Sequence, residues 1–503
     1  MTDHKQPQRT ATGVSGLDDI LHGGLPSGQM YLLEGDPGTG KTTAALQFIL
    51  EGGRRGERTL YVTLSESKAE LEAAAASHGW SLDSVEIVEF VPEEATLSAE
   101  DSYTVFHPNE VELASTIKKL IEEIERVKAQ RVVLDSLSEL RLLAAEPVKY
   151  RRQLLALKRY FAGRGMTTLL LDDRSSEGSD VQLQSIAHGV IRLQKNPRSY
   201  GITRRQVEVL KVRGSSFREG LHDYCISADG LEVFPRLVAA EHPFNFREDV
   251  LPAGVPALDL MFGGGLDRGS STLVTGPTGV GKSSVVMQYL VAAASRGERV
   301  VLYTFDESIR SACVRGNTLG LGVTEQMDLG HLSLKQIDPA ELSPGEFVSQ
   351  ICHAVEKEGA RVVAIDSLNG FLHAMTGESD LPLQLHELVT YLGARGVATF
   401  LVMTQHGFLG ETRTQADVSY LADNVLLMRY FENRGTVRRA FSVMKKRSGP
   451  HETSIRELSL SVDGIRVGEP LVEFRGIMSG SPEIDLSAGD ETAISGPAQG
   501  IRK

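Results

Sequence analysis

The chain has 503 residues, a formal net charge of −13 and a pI of about 5.6. Length suggests two to four domains at roughly 100–200 residues each, and the acidic balance disfavours a stable non-specific grip on duplex nucleic acid. No apolar run approaches the roughly 18 residues of a membrane span, Met1–Thr10 is polar, and Cys225, Cys313 and Cys352 are scattered without metal-ligand spacing, as in a cytoplasmic protein with reduced thiols.

The first apolar strand, Met30–Glu34, runs into Gly35-Asp36-Pro37-Gly38-Thr39-Gly40-Lys41-Thr42, and Thr42–Glu51 reads as a helix. The octapeptide fits G-x-x-x-x-G-K-[ST]. Its glycines let backbone N–H groups curl around phosphates, its lysine reaches the β/γ oxygens, and its hydroxyl holds Mg²⁺. The helix N-terminus adds free N–H groups and a favourable dipole. The expected ATP contacts are Gly38, Thr39, Gly40, Lys41, Thr42 and Thr43. The next strand, Thr59–Thr63, ends in Ser65-Glu66-Ser67. A carboxylate at a strand end beside a phosphate loop polarises an attacking water; alternatively it serves the dipole of a helix starting at Ser67. Arg131–Asp135 is an apolar strand closed by an acid, the Walker B form, in which Asp135 holds Mg²⁺. Thr167–Leu171 ends in Asp172-Asp173-Arg174, which are either γ-phosphate sensors or ordinary strand caps. In Val209-Leu210-Lys211-Val212-Arg213-Gly214 two cations at i and i+2 share a strand face. They either reach a neighbour's γ-phosphate in trans or protect an edge strand. Gly230–Pro235 is strand-like, and a domain boundary is expected within Val238–Val250.

The series then repeats. Lys41 and Lys282 stand 241 residues apart (282 − 41), and Gly13-Val14, Leu17-Asp18, Gly24-Leu25, Gly28 and Glu66 have counterparts at that offset in Gly254-Val255, Leu258-Asp259, Gly265-Leu266, Gly269 and Glu307. This is a domain-sized tandem duplication, not a solenoid with a period of roughly 20–50 residues. The second copy has the strand Ser271–Thr275, the loop Gly276-Pro277-Thr278-Gly279-Val280-Gly281-Lys282-Ser283 and a helix over Ser283–Ala294. Its expected ATP contacts are Gly279, Val280, Gly281, Lys282, Ser283 and Ser284. Val300–Thr304 leads to Asp306-Glu307-Ser308, Arg361–Asp366 supplies the second Walker B acid, and Ala398–Val402 ends in Thr404-Gln405-His406. Mg²⁺ ligands are expected at Thr42 and Asp135, and at Ser283 and Asp366. A second basic strand is Val443-Met444-Lys445-Lys446-Arg447-Ser448. The expected fold is α/β: two tandem P-loop ATPase domains with mainly parallel sheets, 1–240 and 241–482, and a mobile tail, 483–503.

With these motifs the chain resembles the RecA-like ATPases and, within them, the KaiC family, from about Gly13 to Pro482. The resemblance rests on the duplicated openings Gly13–Asp18 and Gly254–Asp259, the strand-end acids, the two Lys-x-Arg strands and the closing Phe474-Arg475-Gly476-Ile477-Met478-Ser479-Gly480-Ser481-Pro482. It implies a homohexamer of two stacked rings with ATP at subunit interfaces. The first ring would hydrolyse ATP slowly; the second would be an autokinase and autophosphatase acting on a neighbouring subunit. A KaiB-like or other signalling protein is the implied partner. In Asp417–Asp423, Ser419 falls on the family's phosphoacceptor serine and Tyr420 on the neighbouring threonine, while Thr414 falls on a transient acceptor; phosphorylation at Ser419 alone is expected. Where the family has Glu-Glu this chain has Ser65-Glu66 and Asp306-Glu307, so the expected catalytic acids are Glu66, Asp306 and Glu307, assisted in trans by Lys211, Arg213, Lys445 and Arg447. The same fold serves nucleic-acid motors and nucleotide-switched scaffolds. Gly407–Thr414, with one acid and one base, is the segment that a DNA loop would use; the tail 483–503 is where a scaffold would dock partners.

Overall fold

The computed structural model describes residues 8–90, 108–144, 146–174, 181–198, 200–244, 246, 249–374, 381–405, 419–477 and 483–484. The chain divides into two compact units, Met1–Arg236 and Leu237–Lys503.

The first unit is built on one nine-stranded sheet: β1 (Met30–Gly35), β2 (Thr59–Thr63), β3 (Glu86–Glu89), β4 (Arg131–Asp135), β5 (Thr167–Asp173), β6 (Gly189–Asn196), β7 (Arg204–Val212), β8 (Leu221–Ser227) and β9 (Gly230–Phe234). The spatial order is β3-β2-β4-β5-β1-β6-β7-β8-β9. It is parallel from β3 to β6 and antiparallel beyond. The second unit repeats this with β10 (Ser271–Gly276), β11 (Arg299–Thr304), β12 (Leu332–Gln336), β13 (Ala360–Asp366), β14 (Ala398–Thr404), β15 (Asn424–Asn433), β16 (Thr436–Lys446), β17 (Arg456–Ser461) and β18 (Gly464–Pro470). Its order is β12-β11-β13-β14-β10-β15-β16-β17-β18, with the same parallel and antiparallel halves. Each unit is a RecA-like domain.

The central strands read as continuous apolar runs because helices cover both faces of the sheet. Along β1, Tyr31 and Leu33 pack with Ala45, Phe48 and Ile49 of helix α1 (Lys41–Arg54). Met30 and Leu32 face the other way, onto Leu154, Leu157 and Phe161 of the helix Pro147–Arg164. The two-residue side-chain alternation of a strand thus feeds two half-cores. In the second unit Val274 of β10 packs with α3 (Lys282–Ser295), the counterpart of α1, while Leu273 packs with Leu388 and Tyr391.

The duplicated opening has a structural cause. Thr12 and Ala253 N–H groups donate to Asp18 and Asp259 Oδ1 at 2.8 and 2.6 Å, and Leu17 and Leu258 are buried. The short strand Arg9–Thr10 pairs with Leu25–Pro26, and Val250–Leu251 pairs with Leu266–Asp267. Gly24 and Gly265 sit at these crossings with φ of 111° and 140°; a Cβ there would lie 2.4 Å from the Thr10 carbonyl oxygen or 2.9 Å from that of Leu251. Within the stretch expected as a tail, Glu483–Ile484 pairs antiparallel with Phe474–Arg475. The remainder, 485–503, lies outside the described residues.

Candidate active site

Both phosphate loops join a buried strand to a helix whose N-cap is a left-handed glycine, Gly40 (φ 92°) or Gly281 (φ 108°), with no side-chain cap. Hydroxyl or carboxylate caps normally satisfy first-turn N–H groups. Here those donors of Lys41, Thr42 and Thr43, and of Lys282, Ser283 and Ser284, are left for an anion. Gly38 and Gly279 also have positive φ, 77° and 78°, within the curl of each loop. Thr39 is buried, its hydroxyl donating to the Asp36 carbonyl at 2.7 Å; Val280 at the corresponding place is packed into the core.

In the first unit Lys41 Nζ donates to the carbonyls of Gly35 (2.9 Å) and Asp36 (3.2 Å) and forms an ion pair with Asp173 Oδ1 at 2.6 Å. The sheet order causes this contact: β5 lies beside β1, with Asp173 in register with Gly35. The neighbouring Asp172 takes a separate role, paired with Arg141 at 2.7 Å. Asp135 ends β4 and accepts from the Tyr61 hydroxyl at 2.6 Å and from Thr42. Burial raises its pKa, against the opposing pull of Tyr61, Lys41 and Thr42. Glu66 is half-buried, and its pKa is raised by burial first and then by the charges of Asp135, Glu70 and Asp173, with Lys41 opposing. Among the described residues no hydrogen bond engages its carboxylate. Ser67 is the N-cap of helix α2 (Lys68–Ser77), with Glu70 completing a capping box. The dipole reading therefore belongs to Ser67 and Glu70, and Glu66 is left beside the loop.

The second unit keeps this frame and changes the partners. Lys282 Nζ donates to the carbonyls of Gly276 and Pro277 at 2.9 and 2.8 Å, but the residue in register with Gly276 on β14 is Thr404, and among the described residues no carboxylate pairs with Lys282. Burial pushes the Lys282 pKa down to about 8, opposed by Asp366. The Asp366 carboxyl is raised by burial, against a hydrogen bond from Ser283 and the nearby charge of Arg315. Asp306 Oδ2 accepts from the Ser367 hydroxyl. Glu307 is engaged at both oxygens: Oε2 by Arg315 Nη2 at 2.6 Å, Oε1 by Ser311 Oγ at 2.9 Å and Arg315 Nε at 3.3 Å. Lys282, Ser283, Asp306, Glu307, Arg315 and Asp366 all line one open cleft of about 810 Å³. Thr404 is bracketed by the side-chain amide of Asn369, whose Nδ2 donates to the Thr404 carbonyl and whose Oδ1 accepts from the Thr404 N–H, and His406 lies outside the described residues.

The Lys-x-Arg segments are at the other end of the sheets. Val190 and Val425 sit opposite Lys211 and Lys445, each beside a bulge in the ladder. Bulges re-aim side chains. Here Lys211 and Arg213 donate to the carbonyls of Gln184 and Ser185, and Lys445 donates to those of Ala422 (2.7 Å) and Ser419 (3.3 Å). Arg447 pairs with Asp423 at 3.0 Å. Burial, and then the charge of Arg213, lower the Lys211 pKa. Strand β15 starts beside the start of β10, Asn424 in register with Thr272, and the phosphate loop leaves the far end of β10. Ser419, half-buried, and Tyr420, exposed, precede β15 and do not line their own chain's cleft. Six residues of strand, roughly 20 Å at about 3.3 Å each, separate that end of the sheet from the loop. Thr414 and Gly407–Thr414 lie outside the described residues.

Three site residues escape motif reading: Tyr61, Arg315 and Ser311. The last two carried a signal, because Ser311 and Arg315 are four residues apart and so share a helix face, on the helix that starts just after Glu307. Among the described residues there is no cluster of three or more His, Cys, Asp or Glu that would hold a metal by itself, and no helix is long and apolar enough to cross a membrane.

The sequence model of the family described as "ATPase: KaiC" matches residues 10–238 and 251–472. Similar proteins include the "Circadian clock oscillator protein KaiC" of Prochlorococcus marinus (strain MIT 9313), 28% identical over 96% of this chain and 97% of its own length. That of Parathermosynechococcus lividus is 29% identical over 94% and 87%. The "Circadian clock oscillator protein KaiC 1" of Synechocystis is 27% identical over 99% and 96%. With both copies of the duplicated domain matched and both phosphate loops intact, the chain belongs to the KaiC family of ATPases.

Proposed function

We propose that the protein is an ATPase and serine autokinase that works as a homohexamer, its first unit hydrolysing ATP and its second transferring the γ-phosphate to Ser419 of a neighbouring subunit. The observation that carries this is the placing of Ser419 and Lys445 together at the end of the sheet away from their own chain's phosphate loop. A hydroxyl there is out of reach of its own cleft and meets another chain's cleft only when copies pack side by side. Lys445 fixes the turn that carries Ser419, and Lys211 fixes the corresponding segment of the first unit.

Mg²⁺ fits the donors present: one hydroxyl already bonded to one carboxylate in each unit, Thr42 with Asp135 and Ser283 with Asp366. A small hard cation that keeps waters and phosphate oxygens needs no more from the protein. Bound there, it would offset the charge of the β- and γ-phosphates. Lys41 and Lys282 hold the phosphates, the loop N–H groups orient them, and Glu66, Asp306 and Glu307 stand where the proton of an incoming water or hydroxyl is taken. Incubation with γ-labelled ATP and Mg²⁺, followed by peptide mapping, tests the assignment. Label is expected on Ser419; no label in the second unit, or label unchanged in Ser419→Ala, overturns it. Mixing Ser419→Ala with Lys282→Ala chains tests transfer between subunits, which should label Ser419 of the Lys282→Ala chain.

A second reading is favoured by the fully engaged Glu307 carboxylate: a nucleotide-switched scaffold that signals to a KaiB-like partner without transferring phosphate. Partner capture that differs between ATP and ADP, with Ser419 unlabelled throughout, would select it.

A further inference from the structure

The two copies differ most on the face of the helix that follows each strand-end acid. In the first, α2 carries Glu70 and Ala74 at the positions where α4 (Ile309–Thr318) carries Ser311 and Arg315 in the second, an offset of 241 in each case (311 − 70 and 315 − 74). Glu70 turns back to its own N-cap and Ala74 is apolar, so among the described residues nothing engages the Glu66 carboxylate. In the second copy Ser311 and Arg315 stand one turn apart on α4, and Glu307 immediately precedes its N-cap, Ser308. Ser311 Oγ and the Arg315 guanidinium then cover both carboxylate oxygens. Arg315 Nη1 also reaches Ser284 Oγ at 3.4 Å, in the first turn of α3 directly after the loop. One guanidinium thus ties the strand-end acid to the phosphate-loop helix.

We propose that Arg315 is a positioning residue that restrains Glu307, keeping the second site from activating water so that bound triphosphate persists there. The proposal rests on the reading that Glu307 acts on nucleotide at the second site. In hydrolysis the water oxygen bonds to the γ-phosphorus as the bond from that phosphorus to the β,γ-bridging oxygen breaks, and a water proton passes to a carboxylate oxygen. A carboxylate with both oxygens committed to a guanidinium and a hydroxyl must give up one of those bonds before it takes that proton. Charge-assisted, forked contacts of this kind are among the stronger hydrogen bonds in proteins. Among the described residues Glu66 has no such bond to give up.

The test uses the full-length chain with Glu66→Gln to lower first-site hydrolysis, and reads phosphate release at saturating and limiting MgATP. Arg315→Met, which keeps the aliphatic stem, should raise kcat by about tenfold, a part of the roughly 100- to 10,000-fold that a positioned general base contributes, with KM unchanged. Arg315→Lys, which keeps the charge but cannot fork across both oxygens, should give a smaller rise than Arg315→Met, as should Ser311→Ala, which leaves Oε1 only its longer contact to Arg315 Nε. The idea fails if Arg315→Met leaves kcat unchanged or lowers it as Glu307→Gln does, or if KM moves while kcat does not. If adding Glu307→Gln to Arg315→Met leaves the rise intact, the assignment of Glu307 falls and the proposal falls with it. Ser419 labelling is not used, so failure here is distinguishable from failure of the autokinase reading.

Discussion

Lys282 offers the sharpest test of the second site. Its side chain is 6% exposed, its ammonium is bound by two loop carbonyls, and burial brings its pKa down to about 8. A triphosphate favours the charged ammonium, so nucleotide binding raises the lysine's proton affinity and takes up a proton whenever the free site has lost it. The sign follows. Below about pH 8 the free site is already protonated and affinity is flat; above it, affinity falls by up to tenfold per pH unit until the pKa of the bound state is reached. The triphosphate is fully ionised in this window and contributes no break of its own. By pH 9.5 the loss relative to the low-pH plateau should reach about 30-fold, or roughly 2 kcal/mol. The assay is titration with a fluorescent ATP analogue in Lys41→Ala, which leaves the second site to report. Lys282→Arg, whose guanidinium does not titrate here, should bind with no break. Flat affinity from pH 7.5 to 9.5 in the parent, or the same break in Lys282→Arg, refutes the reasoning.

In the first site Asp173 must leave Lys41 before phosphate takes its place. Asp173→Asn should therefore tighten ATP binding there by about 3- to 5-fold, a modest gain because the carboxylate is 33% exposed; titration in a Lys282→Ala background reads it, and unchanged affinity would contradict the ion pair. Arg131 is fully buried, forked onto Glu57 at 2.7 and 3.0 Å and donating to the Ala11 and Phe48 carbonyls. Arg131→Met strands those acceptors and should destabilise the first unit by about 3–5 kcal/mol. The single tryptophan, Trp80, lies in that unit, so urea unfolding followed by its fluorescence isolates the effect. Phe347 packs against Tyr303, Phe305 and Phe371 in the second unit. Phe347→Ala should cost about 3–5 kcal/mol, visible by calorimetry while the Trp80 transition stays in place.

The sheets were legible because their central strands are apolar on both faces and the phosphate loops mark where the first strand of each copy ends. Met30–Glu34, Thr59–Thr63, Arg131–Asp135 and their second-copy counterparts were readable as strands for that reason, and the helices after each loop to within three residues. The antiparallel extension was harder: β7 to β9 alternate polar and apolar residues, and only their basic and glycine-marked ends stood out. Side-chain partners were least legible. Asp173 meets Lys41 because β5, far along the chain, is inserted beside β1, and Tyr61 meets Asp135 across β2 and β4. Motif spacing is local and carries no record of such non-consecutive pairing. The strand-end acids were identified as residues, but what holds each acid depends on which side chains the following helix turns toward it.

That dependence is where the duplication has diverged. Among the described residues, the first copy has its loop lysine neutralised by Asp173 and its strand-end glutamate unengaged, while the second has no carboxylate on the lysine and its glutamate neutralised by Arg315. The carboxylate–cation pairing has moved from the phosphate-binding end of the site to the proton-accepting end. An incoming triphosphate must displace a carboxylate in the first cleft but meets an undercompensated ammonium in the second. Once bound, it faces an unrestrained acid in the first and a restrained one in the second. On the proposed reading the same cradle is biased toward cleaving ATP in one copy and toward holding it in the other, by residues outside the phosphate-loop motif, at Glu70 and Ser311, Ala74 and Arg315, and Asp173 and Thr404.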